Sequence, residues 1–254
     1  MPRQIKRYGW IPDLPDQRDR IYAAPFERTD ALPTSVDLRP NCPPVYDQGQ
    51  LGSCTANAIA AAFEFDEMKQ NLSSIFVPSR LFIYYNERVI EGDVSADNGA
   101  QIRDGMKSIA NQGVCPEDLW PYDTTQFATQ PPANCYSVAL QNKTTSYSRI
   151  VQDLGQMKGC LASGYAFAFG FTVYESFESQ AVAQSGHAPM PAPNEKVLGG
   201  HAVLAVGYDD SQQEFLVRNS WGPNWGMQGY FTLPYDYLLK RNLSSDFWTV
   251  RVVA

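Results

Sequence analysis

Apolar positions recur at helical spacing in the first half of the chain and alternate in the second. From Thr55 to Gln70 no Gly or Pro interrupts a helix, and Ser53 stands where an N-cap would. Ala58, Ile59, Ala62, Phe63 and, on one edge, Phe65 give that helix an apolar face wide enough for burial on several sides. A second helix is predicted from Ser79 through Ile90, stopped by Gly92; its aromatics recur at helical spacing and belong to a core. A third runs from about Gln101 to Asn111, stopped by Gly113, and Val151 to Ala162 also reads as helical. The pattern then changes. Tyr165, Phe167, Phe169 and Phe171 alternate, as in a strand. The stretch Gly199 to Tyr208 reads as a buried strand entered through two glycines, and Asp209-Asp210-Ser211 as a turn. Glu214 to Gly222 is a second strand, antiparallel to the first across that short turn, and Asp246 to Val253 closes the set. Thr124 to Ser148, rich in Pro, Thr, Ser and Asn, is expected to be surface loop and crossover, and Ser185 to Lys196 a loop. The fold class is α+β, a helical lobe first and a strand-rich lobe second.

Composition narrows the partners. Hydrophobic residues make up 44% of 254 positions, enough for a real core. A net charge of −7 disfavours nucleic acid or an anionic membrane surface as primary partner. No apolar run approaches bilayer length, and the basic start, Met1 to Trp10, lacks the apolar region of a secretory signal. The chain is therefore expected to be cytoplasmic or to leave by a signal-less route. Five cysteines, Cys42, Cys54, Cys115, Cys135 and Cys160, fit five free thiols as well as one thiol and two bridges. None has short metal-ligand spacing, so no metal is expected.

Cys54 sits at the mouth of the first helix, where the positive end of the macrodipole favours a thiolate nucleophile. Gly49 and Gly52 let the preceding loop turn tightly and let a substrate backbone come close. Of two histidines, His187 lies in a Pro-rich loop and His201 in the buried strand. Pairing of the two strands brings Asn219 toward His201, where an amide can fix the imidazole's tautomer and direction.

Gln48, Cys54, His201 and the run Asn219-Ser220-Trp221-Gly222-Pro223-Asn224-Trp225-Gly226 stand in an order that resembles the papain-like cysteine peptidases, the cathepsin family. The Cys-to-His separation, about 147 residues, falls in that family's range, and the likeness covers roughly residues 32 to 254. It implies a two-lobe fold: a helical lobe with a long central helix (roughly 46–145) and an antiparallel β-barrel-like lobe (roughly 146–254 with 34–45), the active cleft between them. It implies a cysteine endopeptidase with Cys54 as nucleophile, His201 as base, Asn219 as its orienter and Gln48 as oxyanion donor. Trp221 would shield the His–Asn bond. Gly52, Ser53, Asn98, Gly99, Ala100, Gly200 and Ala202 would meet substrate, in a pocket expected to lean apolar. No cofactor is implied; the partner is a peptide or protein, and the chain is expected to be a monomer. A family cysteine three positions before the nucleophile is Leu51 here, which removes one structural disulfide and points to a bacterial-type member. Residues 1–33 are too short and Pro-rich for the usual helical prosegment. Their Trp10, Ile11, Leu14, Ile21, Tyr22 and Phe26 are expected to pack, either across the cleft as a regulatory cover or, the preferred reading, as a brace on one lobe. Two other functions fit the same residues: a binding or regulatory module with a permanently closed cleft, and an acyl or amide transferase.

Overall fold

The computed structural model describes residues 5–25 and 32–253, so Phe26 lies outside the described residues. The first helix, α1 (Cys54–Lys69), is buried on every side from Cys54 to Glu67. After Asn57 come four alanines, Ala58 and Ala60 to Ala62, broken only by Ile59, which lets neighbouring elements approach its backbone closely. Ser53 occupies the N-cap position but makes no capping bond. Its hydroxyl instead meets the Tyr122 hydroxyl at 2.5 Å and accepts from Asn57 Nδ2 at 3.1 Å. Helix α2 (Arg80–Glu91) starts as expected, with the Ser79 side chain accepting from Phe82 N, and ends on left-handed Gly92. Helix α3 (Ile102–Asn111) packs beside α1 and α2.

The expected loop from Thr124 to Ser148 needs correction. It contains a short helix, α4 (Ala133–Ala139), entered through Pro132, with Cys135 and Ala139 buried one turn apart. It also contains most of a strand, β3 (Thr144–Ile150). That strand alternates no apolar side chains, because it is held by its neighbours rather than by a greasy face of its own.

With β1 (Ile21–Tyr22), β2 (Ser35–Asp37), β4 (Phe167–Tyr174), β5 (Val197–Asp209), β6 (Glu214–Arg218), β7 (Tyr230–Pro234) and β8 (Ser244–Val253), the described strands form one sheet ordered β1-β3-β8-β4-β5-β6-β7, with β2 on β5. Helix α5 (Leu154–Ala162) packs on the sheet side of the molecule, and the short helices α6 (Gln180–Ser185) and α7 (Tyr235–Leu239) cover its far end. The alternating aromatics of β4 sit in a core with Phe177, Phe215, Phe231 and Phe247. Helix α1 lies against β5 and β8, so its N-terminus faces the start of the β5 glycines. All five cysteines are free thiols.

The segment before β2 runs against both lobes. Trp10 N donates to Gly200 O at 2.9 Å, while Ala100 N donates to Gly9 O at 2.8 Å and Ile11 N to Ala100 O at 3.0 Å. Residues 8–11 therefore lie between the α3 side and the β5 side. Farther on, Asp13 and Asp19 bond to Arg103, and β1 pairs in parallel with β3, so this part braces the outside of the sheet.

Candidate active site

Register brings the expected residues together. In the β4–β5 ladder His201 faces Phe171, and β6 ends at Arg218, one residue before Asn219. His201 Nε2 lies 2.8 Å from Asn219 Oδ1, which holds one imidazole nitrogen and fixes the ring's direction. Trp221 stacks on the imidazole at a centroid distance of 5.2 Å and an interplanar angle of 26°. Trp225, Phe177 and Phe171 close around that pair, so the His201–Asn219 bond sits away from water.

Cys54 is at the first position of α1, with its sulfur against the backbone N–H groups of Ala202, Gly9 and Thr55. The thiol thus lies beside the peptide that joins His201 to Ala202. The expected low-pKa thiolate is not what this arrangement favours. Cys54 is fully buried, and burial pushes the thiol up to about 12, with the Glu87 carboxyl adding to the rise. The three N–H groups oppose that shift but do not overcome it.

Gln48 is buried in the loop before α1. Its Oε1 accepts from Ser220 Oγ at 2.6 Å and its Nε2 donates to Leu51 O at 3.0 Å. The loop is held from outside as well. Gly52 N donates to Asp97, which also accepts from Tyr84 Oη at 2.5 Å. Arg80 pairs with Glu117 at 2.7 Å and donates to Asn57 Oδ1 and Asp47 O while lying over the Tyr122 ring. Neither Asp97 nor Arg80 carries a sequence signal of this task; each is a charged residue with its partner far along the chain.

Of the residues expected to meet substrate, Gly52, Gly99, Ala100 and Gly200 line the path of Gly9 and Trp10. A Cβ at Gly9 would lie 1.7 Å from Gly52 O, and one at Gly99 (φ +86°) 2.1 Å from Gly9 O. Ala202 meets the Cys54 sulfur. Ser53 and Asn98 turn their side chains elsewhere: Ser53 to Tyr122, and Asn98 to Asp93 at 2.7 Å and Arg7 at 3.4 Å. Tyr8 packs edge-on to His201 and donates its hydroxyl to Glu178 at 2.6 Å. The Trp10 indole fills a pocket between β4 and β5 and donates Nε1 to Asp246 Oδ2 at 3.1 Å.

Comparison with known proteins gives the family and the fold. The family described as papain family cysteine protease matches residues 32–238. The chain is similar to an uncharacterized peptidase C1-like protein of Acanthamoeba polyphaga mimivirus, 43% identical over 98% of this chain and 88% of the relative. It is 31% identical to a cathepsin B-like protein of Giardia intestinalis, over 82% of this chain and 71% of that one. Among solved structures it is similar to xylellain, a cysteine protease from Xylella fastidiosa, with 46% identity, a TM-score of 0.92 and coverage of 100% and 99% of the two chains. It shares the fold of procathepsin L 3 from the Tenebrio molitor larval midgut, at 20% identity and a TM-score of 0.74 over 93% and 75% of the chains.

Proposed function

The chain belongs to the papain family of cysteine proteases, and from that premise we propose that it is an endopeptidase whose cleft is shut by its own N-terminal segment. The observation that carries this reading is the meeting of Cys54, the His201–Ala202 peptide and Asn219 beneath residues 8–11. The Gly9 N–H is a donor toward the sulfur, and the Gly9 carbonyl accepts from Ala100 N at 2.8 Å, so the segment occupies the cleft.

With the segment gone, water reaches the sulfur and the burial that raises the thiol is relieved. The α1 N-terminus and protonated His201 then favour a thiolate–imidazolium pair. The thiolate attacks a peptide carbonyl. The Cys54 N–H and the Gln48 side-chain amide stabilise the oxyanion, and His201, held by Asn219, protonates the leaving amine. Water hydrolyses the thioester with His201 as base. The protein or peptide substrate that the family implies enters as an extended strand between Ala100 and Gly200, the two groups that now pair with Trp10.

The test is intact mass after exposure to a papain-type epoxide inhibitor, on the full chain and on a chain beginning at Leu32. The shorter chain should take one label at Cys54 quickly and the full chain slowly, with no label on Cys54→Ala. Equal rates would remove the inhibitory role. No label on either folded protein would overturn the peptidase and leave a closed binding module.

A further inference from the structure

The two donors assigned to the oxyanion, the Gln48 side chain and the Cys54 N–H, are joined by a loop that contains Gly49 and Gly52. Gly49 is in left-handed backbone at φ 66°. Glycines leave the loop little stiffness of its own, yet two donors serve an oxyanion only at a fixed separation. The Tyr122 hydroxyl ties the ends of this loop together. It donates to Gln48 O at 3.0 Å and meets Ser53 Oγ, one peptide before Cys54, at 2.5 Å. A hydroxyl has a single hydrogen to give. Tyr122 gives its own to Gln48 O, so Ser53 donates to Tyr122, and Ser53 Oγ accepts in turn from Asn57 Nδ2 at 3.1 Å. Asn57 is oriented by Arg80, whose Nη1 donates to Asn57 Oδ1 at 3.1 Å and to Asp47 O at 3.2 Å. Glu117 accepts from Arg80 Nε at 2.8 Å and Nη2 at 2.7 Å, and Arg80 Cζ lies 3.8 Å from the centre of the Tyr122 ring. The donors thus run one way, from Arg80 through Asn57, Ser53 and Tyr122 to Gln48.

Resting on the peptidase reading above, we propose that Tyr122 is a positioning residue for the oxyanion site, its hydroxyl setting the distance between Gln48 and the Cys54 N–H. Gln48 is then fixed from two sides. Ser220 donates Oγ to Gln48 Oε1 at 2.6 Å and accepts from Gln48 N at 2.9 Å, while Tyr122 holds Gln48 O. The bonds of the Tyr122 hydroxyl are to this loop, whereas the sulfur meets backbone N–H groups and His201 meets Asn219. Loss of the hydroxyl therefore disturbs stabilisation of the oxyanion and leaves the nucleophile and its base as they were.

The experiment compares two reactions of Cys54 in the full-length chain with Gly9→Val, which cannot seat against Gly52 O. Iodoacetamide alkylates the thiolate by losing iodide from a saturated carbon and forms no oxyanion, whereas hydrolysis of a peptide amide passes through one. Tyr122→Phe keeps the ring under Arg80 and removes the hydroxyl. It should lower kcat for the peptide by about tenfold or more with little change in KM. The alkylation rate should stay within about twofold, with its pH profile unmoved. Added to Gln48→Ala, Tyr122→Phe should cost less than about threefold further, because the group it positions is already gone. Ser53→Ala, which removes the donor that orients the Tyr122 hydroxyl, should show the same split in smaller measure and keeps the test open if Tyr122→Phe does not fold. In either variant, equal loss in both reactions or no loss in hydrolysis would overturn the positioning role. So would the full loss repeated on Gln48→Ala. Failure of iodoacetamide to modify Cys54 in the Gly9→Val chain, or modification without hydrolysis of any peptide, would instead overturn the peptidase reading beneath it.

Discussion

At Cys54 two forces oppose each other. The helix N-terminus and nearby N–H groups favour the anion, and burial disfavours it more strongly. Around it, each neighbour has a separable effect. Gln48→Ala removes one oxyanion donor and should lower kcat by about two to three orders of magnitude with little change in KM. Asn219→Ala should cost less than His201→Ala, because it disturbs the base's direction and not the base itself. Steady-state kinetics on an opened chain checks both, and the reverse order would argue against the assigned roles. Gln48, Cys54, His201 and Asn219 were legible in the sequence because each lies in a short run with its own local signature. Asp246 and Asp97 were not. An aspartate acquires meaning only from its partner, and Trp10 and Asp246 stand 236 positions apart.

At the level of elements, helices α1 to α3 were legible from uninterrupted runs and glycine stops, and β4 to β6 from alternation and a short polar turn. Helix α4 and strand β3 were not, since a seven-residue helix after two prolines and a strand of Thr, Ser, Tyr and Arg carry no periodic apolar signal. The path of the N-terminal segment was equally hidden. Extended chain has no internal hydrogen bonds, so its position is decided by what it touches. Its most constrained point is Gly9. A Cβ there would collide with backbone at Gly52, which cannot move aside as a flexible side chain could. Gly9→Val should therefore raise the rate of epoxide labelling of the full chain toward that of the chain beginning at Leu32. Trp10→Ala should do so more weakly, since it empties a pocket but keeps the main-chain pairing with Gly200 and Ala100. Labelling of Gly9→Val as slow as the parent would mean that the close packing at Gly52 does not hold the cleft shut.

Across the whole molecule, the clasp between segment and sheet is built from carboxylates, and this gives closure a pH dependence. Asp13 accepts from Trp248 Nε1 at 2.8 Å and from Arg103 N at 3.1 Å, close to Asp246. Burial, and then the Asp246 carboxylate, raise Asp13 from the ordinary 3.8 to about 7, against the lowering effect of the Trp248 and Arg103 bonds and the Arg103 charge. Burial first, with Asp104 and Asp13 among the causes, likewise pushes Glu91 up to about 7, while Asp19 engages both Arg103 and Arg149. When the segment leaves, Asp13 returns to water and to its ordinary value. The docked form therefore binds a proton more tightly than the released form. Docking is strongest below about pH 4 and weakens as pH rises from there to about 7. Ionisation of the Cys54 thiol also speeds labelling at higher pH, so the informative quantity is the rate of the full chain divided by that of Gly9→Val. That ratio should climb between pH 4 and pH 7 and then level, and Asp13→Asn, which cannot ionise, should flatten the climb. A ratio that rises toward acid would show that loss of charge at Asp19 and its arginines, rather than retention of the proton on Asp13, governs release.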